Sequence, residues 1–309
     1  MQHHHSLDGL NLSNAWTTIG SFDGVHRGHQ VILNHVVRGA HSAGSPAVVV
    51  TFYPHPAVVL RSLQEPFYLT TPDERARILT ELGIDHVVTL PFSHEIARLT
   101  AEEFMLLLSN HLGLDHLIVG NNFALGRKRS GDIPTLRELG KSLGYEVEVL
   151  SPALVNDQMI SSTRIRERVN EGQVTEAAAL LGRWYRVGGK VVHGDGRGRL
   201  IGIPTANVAF WPEQVVPARG VYACLAWIHN KAVPAVTNIG LRPTFEVDNL
   251  VTRIETHLLD FNEDLYDMDL QLDFIKYIRP EMRFPSADAL IEQIHNDIRS
   301  AREVLPYVP

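Results

Sequence analysis

Five short runs rich in β-branched residues, TTIGSF, AVVVTFY, IDHVVTLPF, LDHLIVG and YEVEVL, recur through the first half of the chain and constrain its fold more than any other feature. Between them lie HQVILNHVVRGAHSAG, TPDERARILTELG, TAEEFMLLLSNHLG and IPTLRELGKSLG, each with apolar residues at helical spacing and glycine near its end. The runs are continuously apolar rather than alternating, which suits strands buried on both faces of a parallel sheet. Strand and helix in alternation predict a doubly wound α/β domain, whose ligands sit beyond the strand C-termini.

A helical stretch, STRIRERVNEGQVTEAAALLG, follows and ends at Gly182. From Tyr185 the texture changes. YRVGGKVVHG, GVYACLAWIHN, KAVPAVTNIG, LVTRIETHLLDF and MDLQLDFIKYIR read as successive strands broken by Gly, Pro, Asn and Asp. That spacing predicts an antiparallel barrel or sandwich. A last amphipathic stretch, SADALIEQIHNDIRSAREVL, reads as a helix with Ser286 as its N-cap. A chain of 309 residues is long for a single core, and the change of texture near Trp184 divides it into residues 1–184 and 185–309.

The composition, 44% apolar and 20% charged, is that of a globular protein. No apolar run approaches the roughly 20 residues that span a bilayer, and no signal peptide precedes the first motif. The single cysteine, Cys224, excludes an internal disulfide and any CxxC metal site, so a reducing, cytoplasmic setting is expected. His3 to His5 read as a natural terminus or a tag remnant, with no metal role. The net charge of −7 argues against nucleic-acid binding, which needs a basic footprint. Basic residues nevertheless gather in GRKRSGD, SSTRIRERV and GDGRGR. Such loops suit a small anionic ligand such as a nucleotide; solvated surface loops are the other reading.

Directly after the first of the five runs comes GSFDGVHRGH, Gly20 to His29. A helix beginning around Val25 to His29 would place His26 and His29, three apart, on one face of its first turn. Unsatisfied backbone N–H groups and the helix dipole favour an anion there. Gly24 and Gly28 remove side chains where a phosphate must approach the backbone, and two imidazole donors could stabilise phosphoryl charge. A zinc pair or two structural histidines are the competing readings; neither an HExxH context nor a cysteine partner accompanies the pair.

GSFDGVHRGH is similar to the GxFDGxHxGH signature of nucleotidyltransferases that transfer an adenylyl or cytidylyl group to a phosphate. ISSTRIR (Ile160 to Arg166) resembles the second signature of that superfamily. VGNNFALGRKRSGD resembles the glycine-rich segment of one branch, the prokaryotic bifunctional riboflavin kinase/FAD synthetases. GRGRLIGIPTANV, RGVYAC, TNIGLRPTF and IETHLLDFNEDLY look like that family's riboflavin kinase module, in the same order. The resemblance runs from about Thr18 to the final helix.

It implies two ATP-dependent reactions: phosphorylation of riboflavin to FMN in the C-terminal half, and adenylylation of FMN to FAD with release of pyrophosphate in the N-terminal half. For the adenylyl transfer it implies His26 and His29 on the ATP phosphates. Phe22, Asp23, Gly24 and Gly28 would surround them, Asn122 would sit at a strand end, and Ser161, Ser162 and Arg164 would act from the opposite side. Arg168 in RIRER is better read as part of a solvated helix face. For the kinase it implies a phosphate loop of Gly194, Gly196, Arg197, Gly198 and Arg199, together with Asn238 and Arg242. Thr205 and Asn207, two apart in PTAN, would offer oxygens to Mg²⁺, a hard cation that keeps waters and bridges to phosphates. Glu255 would be the base for the ribityl hydroxyl; on residue pattern alone it reads as an exposed cross-strand partner of Arg253 or a lysine.

Three positions depart from the family pattern. Ser21 replaces the asparagine of GNFDG, Ile203 stands where phenylalanine is common, and Asp267 where glycine is frequent. The expected ligands are riboflavin, FMN, FAD and ATP, with no nucleic acid and no membrane, on a monomer or weak homo-oligomer. An enzyme with one activity only, and a non-catalytic flavin-binding regulatory protein, are the alternatives.

Overall fold

The computed structural model describes residues 2–63, 66–151, 154–155, 158–194, 196–243 and 250–305. The chain divides into two compact units, Met1–Ser162 and Thr163–Pro309.

In the first unit the elements run β1 (Gln2–His4), β2 (Ala15–Ile19), α1 (Arg27–Ser42), β3 (Ala47–Tyr53), α2 (Pro56–Arg61), α3 (Pro72–Glu81), β4 (His86–Pro91), α4 (Ala101–Leu112), β5 (Leu114–Gly120), α5 (Ile133–Leu143) and β6 (Glu146–Leu150). The strands form one parallel sheet in the order β1-β4-β3-β2-β5-β6. Consecutive residues of the central strands serve opposite faces. Val48, Val50, Val88, Leu90, Leu117 and Val119 pack with Phe104, Met105 and Leu108 of α4 and Leu136 of α5. Val49, Val87 and Ile118 pack with Leu33, Val36 and Ala40 of α1 and Ile78 and Leu79 of α3. Burial on both faces is what continuous apolar runs require. The histidine-rich terminus, read from sequence as a natural terminus or a tag remnant with no metal role, is an edge strand: β1 pairs with β4, and His4 Nε2 lies 3.2 Å from His86 Nδ1.

Two short antiparallel strands, β7 (Leu154–Val155) and β8 (Gln158–Met159), precede α6 (Ser162–Asn170) and α7 (Val174–Leu181). The sequence predicts one helical stretch here; the structure breaks it. Gly172 takes φ +75°, and its N–H and that of Gln173 turn back to Val169 O and Arg168 O, a left-handed helix stop that glycine adopts without a Cβ penalty. Arg168, expected on a solvated face, spans the break by bonding Gln173 Oε1 and pairing with Glu171 and Glu176 at 3.2 and 3.6 Å.

The second unit continues with β9 (Tyr185–Val192), α8 (Arg197–Leu200), β10 (Ala206–Phe210), β11 (Gly220–Ile228), β12 (Lys231–Pro243), β13 (Leu250–Leu258), β14 (Asp269–Arg279) and α9 (Ala287–Val304). The strands close into an antiparallel barrel in the order β10-β13-β12-β11-β14-β9, so of the two expected architectures the barrel is the one formed. Closure leaves no strand edge open to pair with another chain. α9 begins at the Ser286 cap, whose hydroxyl accepts from Ala289 N, and its Ala301 and Ile298 pack with Val221, Ala223 and Val236 of the barrel. Asp267, where glycine was expected, adopts φ +62°, a conformation aspartate tolerates better than most residues.

Candidate active sites

The order of the first sheet reverses between β2 and β5: β3 and β4 lie to one side, β6 to the other. That switch point opens a crevice at the strand C-termini. The loop Gly20–His26 leaves β2 there, and Asn122 follows β5 as an exposed residue.

The loop is strained and tightly held. Phe22, Gly24 and Val25 all have positive φ, at +47°, +77° and +39°, and a β-branched residue rarely accepts that. Its tethers come from distant sequence. The buried Asp23 carboxylate accepts from Leu69 N at 3.0 and 3.1 Å and from Thr70 N at 3.2 Å. Ser21 O accepts from Thr51 Oγ1 and from buried Arg75, both at 3.0 Å. Arg75 also donates to Phe52 O at 3.2 Å; burial lowers its pKa and the Asp23 charge opposes that. Ser162 Oγ donates to Asp23 O at 2.9 Å. Ser162 thus joins the second signature to the first, while Arg164 falls in the second unit.

The helix starts at Arg27, one residue after His26, which is its N-cap rather than a member of its first turn. His26 Nδ1 accepts from His29 N at 3.2 Å; in the neutral ring the proton then sits on Nε2. The two rings stack with centroids 3.6 Å apart, and Phe22 meets His29 edge-on at 5.1 Å. A Cβ on Gly28 would lie 3.1 Å from the His26 ring, so glycine here makes room for the cap. Burial, and then the neighbouring His26, push the His29 pKa well below its usual value. Its Nδ1 is buried and has no hydrogen-bond partner among the described residues. The pair therefore presents neutral imidazoles at a helix mouth.

Beside Gly20 and Ser21 lies a cavity of about 550 Å³, walled by Phe52, Phe92, Phe104 and Phe123 and rimmed by Arg61, Lys128 and Arg129. Its size is that of a small-molecule pocket. Sequence reasoning missed these aromatics, because they come from four separate segments.

In the second unit, strand register does the assembly. Glu255 of β13 is paired with Asn207 of β10 on one side and Asn238 of β12 on the other. Paired residues share a face of the sheet, so Asn207, Glu255 and Asn238 form a cross-strand row. Arg253 NH1 lies 3.6 Å from Glu255 Oε1, but the two are neighbours along β13 rather than the cross-strand partners expected from sequence. Glu255, Asn238, Thr205, Gly198, Ile203, Arg279 and Asp297 line a cavity of about 470 Å³ between the barrel and α9. A second cavity of about 350 Å³ is lined by Arg199, Thr205 and Tyr266 among others. Thr205 lines both.

Glycines let the loop close on these groups. A Cβ on Gly194 would fall 2.1 Å from Asn207 Nδ2, and one on Gly198 would fall 3.3 Å from Thr205 Oγ1. Gly196 adopts φ +68°. The side chains of Arg197 and Arg242 lie outside the described part of the structure. Among the described residues no cluster of three or more His, Cys, Asp or Glu could hold a metal. Mg²⁺ at a nucleotide site is commonly held by few, hard protein oxygens and completed by phosphate and water. Thr205 and Asn207 meet that description for Mg²⁺. Arg279, absent from the expected set, makes a two-point bond with buried Asp297 at 2.8 and 2.7 Å.

A sheet with a phosphate-type helix mouth, joined to a barrel whose Glu255 lines one of two cavities that share Thr205, defines a chain that handles nucleotides in two places. Residues 10–164 match the FAD synthetase family and residues 181–305 the riboflavin kinase family. The bifunctional riboflavin kinase/FMN adenylyltransferase of Escherichia coli K12 is 38% identical over 97% of this chain and 95% of its own length. That of Pseudomonas fluorescens is 39% identical over 92% and 91%, and that of Listeria monocytogenes 32% over 97% and 96%. A crystal structure described as a macrolide-efflux protein from Streptococcus pneumoniae shares the fold with TM-score 0.88 and 30% identity, covering 97% of this chain and 98% of that one. Among the described residues no helix is long and apolar enough to cross a membrane. The chain belongs to the bifunctional riboflavin kinase/FMN adenylyltransferase family.

Proposed function

We propose that the chain makes FMN from riboflavin and ATP in its barrel and FAD from FMN and ATP at the switch point of its sheet. The observation that carries the kinase reading is Thr205, which lines two cavities while Glu255 lines one of them. Riboflavin in the cavity with Glu255 and ATP in the other would meet beside Thr205. Glu255 takes the proton of the ribityl 5′-hydroxyl as it attacks the γ-phosphate. Asn207 and Asn238 flank the carboxylate; Arg199, Gly194, Gly196 and Gly198 hold the nucleotide, with Arg197 and Arg242 assigned there by family. Thr205 and Asn207 hold Mg²⁺, which neutralises phosphate charge when bound.

At the other site the FMN phosphate attacks the α-phosphorus of ATP and pyrophosphate leaves. The protein's task is alignment and charge stabilisation. His26 and His29 donate to the ATP phosphates as neutral rings, Asn122, Ser161 and Ser162 complete the cradle, and Arg164 is assigned to the phosphates by family alone. Phe22, Asp23, Gly24 and Gly28 shape the loop, Asp23 through Leu69 and Thr70. The phenylalanine-walled cavity receives the flavin ring, with Arg61, Lys128 and Arg129 at its charged rim. We assign the two activities to residues 1–184 and 185–309, in a cytoplasmic protein acting as a monomer or weak homo-oligomer.

Incubation with riboflavin, ATP and Mg²⁺, with the flavins followed by chromatography, tests the scheme. FMN should appear first and FAD after it. FMN that never proceeds to FAD would leave a kinase alone, and no turnover would leave a flavin-binding protein. Glu255→Gln should cut FMN formation by roughly 10²-fold or more, the scale of a lost general base, while FMN-to-FAD conversion continues. His29→Ala should do the reverse.

A further inference from the structure

The strand pairing that brings Asn207 opposite Glu255 stops one residue short of Thr205. The ladder between β10 and β13 begins with Ala206 opposite Thr256. Continued in the same register it would set Thr205 against His257 and Pro204 against Leu258, but Pro204 has no N–H to give to a ladder. Its carbonyl is the remaining backbone group by which β13 can grip this segment. His257 does so, with Nδ1 2.7 Å from Pro204 O. A carbonyl only accepts, so Nδ1 carries the proton and, in the neutral ring, Nε2 carries the lone pair. On its other flank the segment is tied to the glycine loop, Ile203 N donating to Gly198 O at 2.8 Å.

We infer that His257 is a positioning residue of the kinase site: its Nδ1–H holds Pro204, and through it Thr205, at the junction of the two cavities. His257 stands two residues after Glu255 on β13, so the two share a face. Both line the cavity of about 470 Å³ together with Thr205. Thr205 follows Pro204 directly, is exposed, and lines the second cavity as well. An exposed residue beside a proline has little packing to fix it. Phosphoryl transfer depends on alignment, and a shift on the order of 1 Å can cost about 10²-fold in rate. One strand thus supplies the carboxylate read as the base and the donor that fixes the threonine sharing its cavity.

The inference rests on the reading of the barrel as the kinase, which Glu255→Gln tests independently. Three variants of the full chain test His257. His257→Leu removes the donor. His257→Asn places an amide N–H the same number of bonds from the backbone as Nδ1; His257→Gln places it one bond further, at the reach of Nε2. Steady-state riboflavin phosphorylation and thermal melting are two readouts. Long-range ¹H–¹⁵N correlation spectra of histidine-labelled protein are a third, independent of turnover, and should show the neutral His257 ring protonated at Nδ1. His257→Leu should lower kcat roughly 10- to 100-fold, with the KM for riboflavin changed by less than about twofold. His257→Asn should recover most of that loss, and His257→Gln should not. A ring protonated at Nε2 alone overturns the positioning role. So does rescue by Gln as good as by Asn, which points to substrate contact through Nε2. So does a loss of kcat that merely tracks the melting temperature across the three variants. Should His257→Leu fail to fold, the contrast between Asn and Gln decides in the same way. If Glu255→Gln abolishes phosphorylation while His257→Leu leaves kcat unchanged, His257 alone loses its role. If both leave it unchanged, the barrel is not the kinase and the inference falls with that reading.

Discussion

His29 couples the chemistry of the first site to the stability of the fold. Its folded pKa lies well below 6.5 because of burial and the adjacent His26, whereas the unfolded chain takes up that proton near pH 6.5. Below pH 6.5 the unfolded state therefore binds more protons, and stability falls as pH falls until the folded pKa is reached. The slope from one such group is at most about 1.4 kcal/mol per pH unit. His3, His4 and His86 are shifted in the same direction, so the useful quantity is a difference. Urea unfolding of the chain and of His29→Asn between pH 5 and 7.5 should show the variant losing less stability on acidification. A gap between the two that is independent of pH would show that His29 is not held neutral. The pair itself was legible in sequence, since GSFDGVHRGH is contiguous. Arg75 and the Asp23 contacts to Leu69 and Thr70 were not: the partners lie 46 to 54 residues apart and meet only through the parallel crossover.

At the level of elements, periodicity placed β2 to β6 and the four long helices of the first unit, because both faces of the central sheet are covered and its inner strands carry runs of apolar residues. It failed where one glycine overrides helical spacing on both sides, at Gly172. It was also blind to register. Nothing in LVTRIETHL says that Glu255 will stand between Asn207 and Asn238; the pairing of β13 with β10 and β12 does. The same holds for α9, whose amphipathic pattern gave the helix and not its anchor. Arg279 at the end of β14 holds Asp297 by two hydrogen bonds, and Gln293 donates to the same carboxylate at 2.9 Å. Asp297→Ala would leave a largely buried guanidinium without its partner, a loss of about 3 to 5 kcal/mol for pairs of this kind. Because both residues line the cavity with Glu255, the KM for riboflavin should rise while FMN-to-FAD conversion is kept. A variant as stable as the parent in urea would mean that α9 is held by its apolar face alone.

For the whole molecule, the texture of the sequence divides the chain near Trp184, yet α6 and α7 lie in the second compact unit from Thr163 onward. The family matches end at residue 164 and resume at 181, leaving most of this helical pair between them. Packing explains why α7 belongs with the barrel. Val174, Ala177, Leu180 and Leu181 are buried, α7 lies against β9 and β14, and Thr175 Oγ1 donates to Ile275 O at 3.1 Å. Sequence could not reveal this, since an amphipathic helix states which face it buries and not against what. Two fragments distinguish the divisions. A chain of residues 163–309 keeps α7 on β14, whereas 185–309 strips it away and bares the apolar surface beneath. Burying a single large aliphatic side chain contributes about 1.5 to 3 kcal/mol, so the shorter fragment should be less stable by several kcal/mol, a large share of what a domain of this size possesses. Thermal melting and riboflavin phosphorylation measure it: 163–309 should melt cooperatively and make FMN, and 185–309 should melt lower or aggregate. Equal melting of the two fragments would return the boundary to Trp184 and make the helical pair a linker.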